Sequence, residues 1–123
     1  MVQKICLDTD VCVELIKNTE KGMYFFEKFM EDDICVSAIT AYELNQREKN
    51  LEPVKRFLVK VEILNFNLKS AQEAADIYKN LKSMGKIVDF RDIFIAGICM
   101  THKCSLLTMN KKHFKHIQGL KII

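Results

Sequence analysis

Ile5-Cys6-Leu7-Asp8-Thr9-Asp10 is the stretch on which the fold turns: a strand-like apolar run ends in an acid, and Asp10 can then cap a helix. The same arrangement recurs at Ile34-Cys35-Val36, where Ser37 is placed to cap a helix running to about Glu48 and carrying Glu43. A third acid, Asp92, opens the almost wholly apolar Ile93-Phe94-Ile95-Ala96-Gly97-Ile98. Acids are ordinarily solvated, so three of them at the ends of core elements call for a reason.

Working outward, strands are expected at Val2–Leu7, Ile34–Val36, Val61–Phe66, Ser105–Thr108 and Leu120–Ile123. Between them lie helical patterns: one to Ile16, one built on Met23, Phe25, Phe26, Phe29 and Met30, and a short one at Pro53, which a first turn tolerates. A long helix to about Gly85 shows capping-box spacing at Ser70 and Glu73, and another spans about Arg91 to His102. Alternation of strands with helices predicts an α/β fold with a mainly parallel, five-stranded sheet and right-handed crossovers. Ligands of such sheets bind beyond the carboxyl ends of the strands, near a topological switch point. Asp8, Glu43, Asp92 and Asn110 all fall at that end.

The composition fits one compact domain over residues 1–123, with 49% hydrophobic and 28% charged residues, one proline and four glycines. No apolar run reaches the roughly 18 residues that a membrane span needs, and the N-terminus lacks a basic leader, so a soluble, cytoplasmic protein is expected. Five cysteines, an odd number lying mostly in apolar runs, read as small hydrophobes in a reducing compartment; no CxxC or Cys/His ligand spacing occurs. The net charge is +3, yet no acid follows Asp92, and the lysines beyond it give that segment +5 against −2 for the rest. A basic tail beside clustered acids suits a phosphate-rich substrate, although a solvated lysine face would look the same.

Singly, each acid has an ordinary explanation. Asp8 can begin a turn, Glu43 can pair with Arg47 four residues on, and Asp92 or Asp89 can cap a helix. Together they form an electrostatic problem, because two carboxylates about 5 Å apart repel by about 3 kcal/mol at an effective dielectric near 20. A cation offsets this, and oxygen donors completed by water suit Mg²⁺ or Mn²⁺ better than zinc. The histidines His102, His113 and His116 are not spaced as a ligand set and read as solvated.

Leu7-Asp8-Thr9-Asp10, Ser37-Ala38-Ile39-Thr40-Ala41-Tyr42-Glu43-Leu44, Asp92-Ile93-Phe94-Ile95-Ala96 and Leu107-Thr108-Met109-Asn110, followed by Phe114 and Gly119-Leu120, closely resemble in order and spacing the PIN-domain family, especially its short VapC-type toxins. The resemblance covers essentially the whole chain. It implies a three-layer α/β/α sandwich and Mg²⁺- or Mn²⁺-dependent hydrolysis of RNA. Asp8, Glu43 and Asp92 match the family's metal-binding acids, and Asn110 matches a position often held by aspartate. Thr9, Thr108 and Asn110 would support the site by holding water or substrate. Two departures stand out: Gly97 replaces a common alanine, and Asp10 stands where asparagine is frequent.

The resemblance also implies a cognate VapB-like antitoxin covering the site and a groove near the first helices. The cluster from Met23 to Met30 is more aromatic than one buried helix face requires, so part of it is expected to meet that antitoxin or a second copy in a homodimer. A PIN-like module that binds RNA or protein without cutting is the alternative. Asp8-Thr9-Asp10-Val11 also resembles the opening of haloacid-dehalogenase-type phosphatases, but these need later acids and none follows Asp92. A receiver domain fails because Asn65-Phe66-Asn67, at the end of the third strand, offers no phosphoacceptor aspartate.

Overall fold

The computed structural model describes residues 2–123. Strand β1 (Lys4–Leu7) leads into helices α1 (Thr9–Lys17) and α2 (Glu20–Phe29), and β2 (Asp33–Ser37) into α3 (Ala38–Asn45) and α4 (Leu51–Leu58). Then come β3 (Glu62–Leu64), α5 (Leu68–Ser83), α6 (Phe90–Thr101) and β4 (Ser105–Leu107), with a 3₁₀ turn at Lys111–His113. The four strands are parallel in the order β3-β2-β1-β4. The chain therefore winds away from β1 through β2 and β3, then returns to β1's other side at β4. The switch point lies between β1 and β4, where a crevice opens beyond the strand ends.

Alternation along the strands sorts the side chains into two cores. Ile5, Leu7, Val36 and Leu107 face one layer with Val11, Cys12, Leu44 and Val54. Cys6, Cys35 and Leu106 face the other, with Ala74, Ile77 and Leu81 of α5 and Ile93, Ile95, Ile98 and Cys99 of α6. Helices on both faces make the expected three-layer α/β/α sandwich. Phe114 is completely buried in the second core and anchors the basic turn, a burial that contributes about 2–3 kcal/mol.

The fifth expected strand, Leu120–Ile123, is reduced to a single parallel bridge between Leu106 and Ile122. Its hydrogen bonds are Leu106 N–H to Lys121 O at 2.8 Å and Ile123 N–H to Leu106 O at 2.9 Å. β4 has only three residues to pair with, and Gly119, at φ +85°, turns the chain in just before this segment. Capping also differs in detail. Asp8, not Asp10, caps α1; Asn67 caps α5 one turn before the Ser70 and Glu73 pair; and α3 stops at Asn45. Ser37 caps α3 as expected, accepting from Thr40 N–H at 3.0 Å.

Gly97 lies where α6 crosses α5. A Cβ built there would sit 2.8 Å from the Ser70 carbonyl oxygen and 3.1 Å from Ala74 Cβ, so the departure from alanine follows from the close approach of the two helices.

Candidate active site

Asp8 occupies the end of β1 and is 6% exposed. Its Oδ1 accepts from Thr9 N–H at 2.9 Å, the cap bond of α1, and its Oδ2 accepts from Thr108 Oγ1 at 2.8 Å. Burial pushes the Asp8 carboxyl above its ordinary range, those two bonds pull it back, and the neighbouring Asp10 charge adds to the rise. Thr108 Oγ1 also accepts from Asn110 N–H at 3.0 Å, and the Asn110 amide donates to Asp10 Oδ2 at 2.9 Å. One chain of hydrogen bonds thus joins the ends of β1 and β4 across the switch point.

A second set holds Glu43. The Thr9 hydroxyl donates to Glu43 Oε1 at 2.7 Å and lies 3.2 Å from the Thr40 hydroxyl. Glu43 Oε2 is 3.6 Å from Arg91 Nη1, and Arg91 Nη2 is 3.1 Å from Asp89 Oδ2. The partner of Glu43 is therefore Arg91 of α6 and not Arg47, which lies beyond the end of α3. Asp89 caps α6 and is held below the usual carboxylate range by hydrogen bonds from Arg91.

Asp92 lies in the first turn of α6, with its Oδ2 3.6 Å from His113 Nδ1. Burial, followed by repulsion from Asp8, pushes its carboxyl up to about 6; Asp89 and Glu43 add to the rise and His113 opposes it. That repulsion ties Asp92 electrostatically to Asp8 although no hydrogen bond joins them. Hydrogen bonds link Asp8, Thr108 and Asn110 on one side and Thr9 and Glu43 on the other at the strand ends, with the Asn110 amide turned toward Asp10, and charge couples Asp92 to Asp8 and Glu43. Arg91 and His113 were not anticipated there. Arg91, flanked by Asp89 and Asp92 at a helix start, offered a signal; His113, half exposed, offered none.

The donor set is all oxygen and rich in carboxylate, which fits a hard divalent ion. Among the described residues, no three of these acids bring their oxygens within 4.8 Å of one another.

Parallel strands, a switch-point crevice and acids gathered from three separate elements define a class of small α/β domain, and the chain belongs to the PIN domain family, whose match spans residues 5–120. Within it, the full-length similarity is to VapC proteins. The tRNA(fMet)-specific endonuclease VapC of Salmonella typhimurium is 30% identical over 97% of this chain and 96% of its own length. Among solved structures, DNA-bound VapBC from the same organism superposes with a TM-score of 0.84 at 28% identity, covering 100% of this chain and 98% of that one. VapBC2 from Rickettsia felis, bound to a DNA fragment from its promoter, gives 0.85 at 25% identity over 98% of each.

Proposed function

We propose that this chain is a VapC-type endoribonuclease, the toxin of a toxin-antitoxin pair, hydrolysing RNA phosphodiester bonds with Mg²⁺ or Mn²⁺ held by Asp8, Asp92 and Glu43. The observation that carries this reading is the hydrogen-bonded gathering of Asp8 and Glu43 at the strand ends beside Asp92, whose carboxyl is raised by burial and then by the Asp8 charge, a repulsion that a divalent cation would relieve. A bound ion of this kind supplies an activated water and neutralises charge on phosphate oxygens.

The chain's own residues do the positioning. Thr108 and the Thr9 amide each take one lone-pair direction of Asp8, leaving its remaining lone pairs for a ligand. Thr9 fixes one oxygen of Glu43 and leaves the other directed toward Arg91, which can exchange that contact for a substrate phosphate. Lys111 and Lys112, beside His113 in the turn after β4, supply positive charge along an RNA backbone. Similarity to endonucleases that act on tRNA favours RNA over DNA, and unstacked bases in a loop are where sequence can be read.

A cognate VapB-like antitoxin is the expected partner, because the solved relatives are VapBC assemblies. A groove of about 360 Å³ lined by Leu15, Phe25, Phe26, Phe29, Met30 and Phe57 fits an amphipathic segment of it. Phe26 and Met30 are exposed at its rim, while Phe25 and Phe29 pack partly into the core. Met23 and Tyr24, exposed on the same helix, leave a face for a second copy in a homodimer. No helix among the described residues is long and apolar enough to cross a membrane.

The test is cleavage of a mixed RNA pool by the purified chain with Mg²⁺ or Mn²⁺, with EDTA, and with Asp8→Asn. Metal-dependent cleavage lost in a folded Asp8→Asn protein is expected. Tight RNA binding without any cleavage would instead favour the non-cleaving module.

A further inference from the structure

Four of the five cysteines, which no sequence spacing relates, converge in the core on the α5 and α6 side of the sheet. Cys6 on β1 and Cys35 on β2 are register partners, and Cys104 enters β4 on the same face. Their three sulfurs lie within 4.8 Å of one another, and all three residues are buried. Cys99, on α6, borders the group through its carbonyl oxygen, which lies 3.6 Å from Cys104 Sγ. The fifth, Cys12, belongs to the opposite core.

Burial as small hydrophobes would scatter cysteines through both cores, whereas this fold assembles a sulfur-only donor set at one point. A tetrahedral thiolate site with metal–sulfur bonds of about 2.3 Å needs sulfurs roughly 3.8 Å apart. Side chains now within 4.8 Å reach that by small rotations about χ1. Cys6, Cys35 and Cys104 supply three donors on one face of the sheet and leave the fourth tetrahedral position to a solvent oxygen entering beside Cys104. A cleft of about 440 Å³, lined by Lys4, Cys99, Met100, Lys103, Cys104 and Lys121, leads from solvent to the group.

We propose that Cys6, Cys35 and Cys104 form a binding site for one thiophilic divalent cation of the Zn²⁺ class, separate from the acid crevice. Each ligating thiol releases its proton to solvent, so three thiolates around a 2+ ion leave a net charge of −1, which Lys4, Lys103 and Lys121 at the mouth of the cleft counterbalance. The ion would tie together the elements that carry the crevice. Cys6 lies two residues before Asp8, Cys35 two before the cap of α3, and Cys104 four before Thr108. The site is thus structural, and the nuclease reading plays no part in it.

The experiment is a Co²⁺ titration of the intact wild-type chain, reduced and kept in excess Mg²⁺ to saturate any oxygen site. Expected are near-ultraviolet sulfur-to-cobalt absorption and tetrahedral visible bands, saturating at one Co²⁺ per chain and abolished by Zn²⁺. Zn²⁺ should also raise the unfolding temperature by several degrees. Cys104→Ser, at the edge of the cluster, should lose or shift the absorption, and Cys12→Ala should retain it. Wild-type protein without sulfur-to-cobalt absorption would overturn the proposal whether or not the variants fold. So would undiminished absorption in Cys104→Ser.

Discussion

Thr108 Oγ1 donates a 2.8 Å hydrogen bond to Asp8 Oδ2 across a hundred residues of sequence, because β1 and β4 are neighbours in the sheet. The bond holds a buried carboxylate in one orientation at the switch point and couples the Asn110 turn to it. Its worth is measurable.

Thr108→Val keeps the side-chain shape but leaves a buried carboxylate one donor short, at a cost of about 1–3 kcal/mol in folding stability. With Asp8 free to rotate, cleavage should fall about tenfold to a hundredfold. Losing a bond that favours the ionised form raises the Asp8 carboxyl further, so the pH–rate profile should move to higher pH. Thr108→Ser should recover most of the rate. An unmoved profile in Thr108→Val would mean that the bond does not position Asp8.

The metal-free protein should lose stability as Asp92 ionises. Its carboxyl titrates at about 6 in the fold against 3.8 in a model compound, so the folded chain binds the proton more tightly. That contribution is full below about pH 4 and is lost as pH rises through about 6. Asp92→Asn removes the ionisation, and partial solvent exposure reduces the expected gain at pH 7.5 to about 1 kcal/mol. Denaturant unfolding in EDTA should show the variant pulling ahead of wild type between pH 4 and 6, then a constant gap. A gap independent of pH would contradict this.

Phe26 is 60% exposed at the rim of the apolar groove, so its replacement spares the core. Phe26→Asp should leave the unfolding temperature and RNA cleavage near wild type while weakening the antitoxin complex by about 2 kcal/mol, roughly thirtyfold. Calorimetric titration with the cognate antitoxin measures it, and unchanged affinity would place the antitoxin elsewhere.

Gly97→Ala should destabilise the chain by about 1–3 kcal/mol, despite the higher helix propensity of alanine. The added methyl meets a backbone carbonyl at 2.8 Å, so α5 and α6 must separate. Equal or greater stability in chemical denaturation would show that the helices can yield there.

Local patterns carried most of the architecture. Apolar runs marked the four strands, Ser37 announced α3, and the acids at strand and helix ends were visible before any pairing was known. The fifth strand was over-read because Leu120-Lys121-Ile122-Ile123 has strand composition, while the three-residue β4 leaves it room for only one bridge. Asp10 alone is the cap expected from the sequence, since its side chain can accept a helix-end N–H, but the turn after Leu7 brings Asp8 to the Thr9 amide instead.

The chain's order of elements, its double-sided core and the identity of its acids are written in residue type and period, because burial and capping act over a few neighbouring positions. Which side chains meet was decided only when the sheet adopted the order β3-β2-β1-β4. That order set Thr108 against Asp8, turned Arg91 rather than Arg47 toward Glu43, and drew three unrelated cysteines to one point. Such meetings depend on strand neighbours chosen by the packing of the whole chain, and no local spacing encodes them.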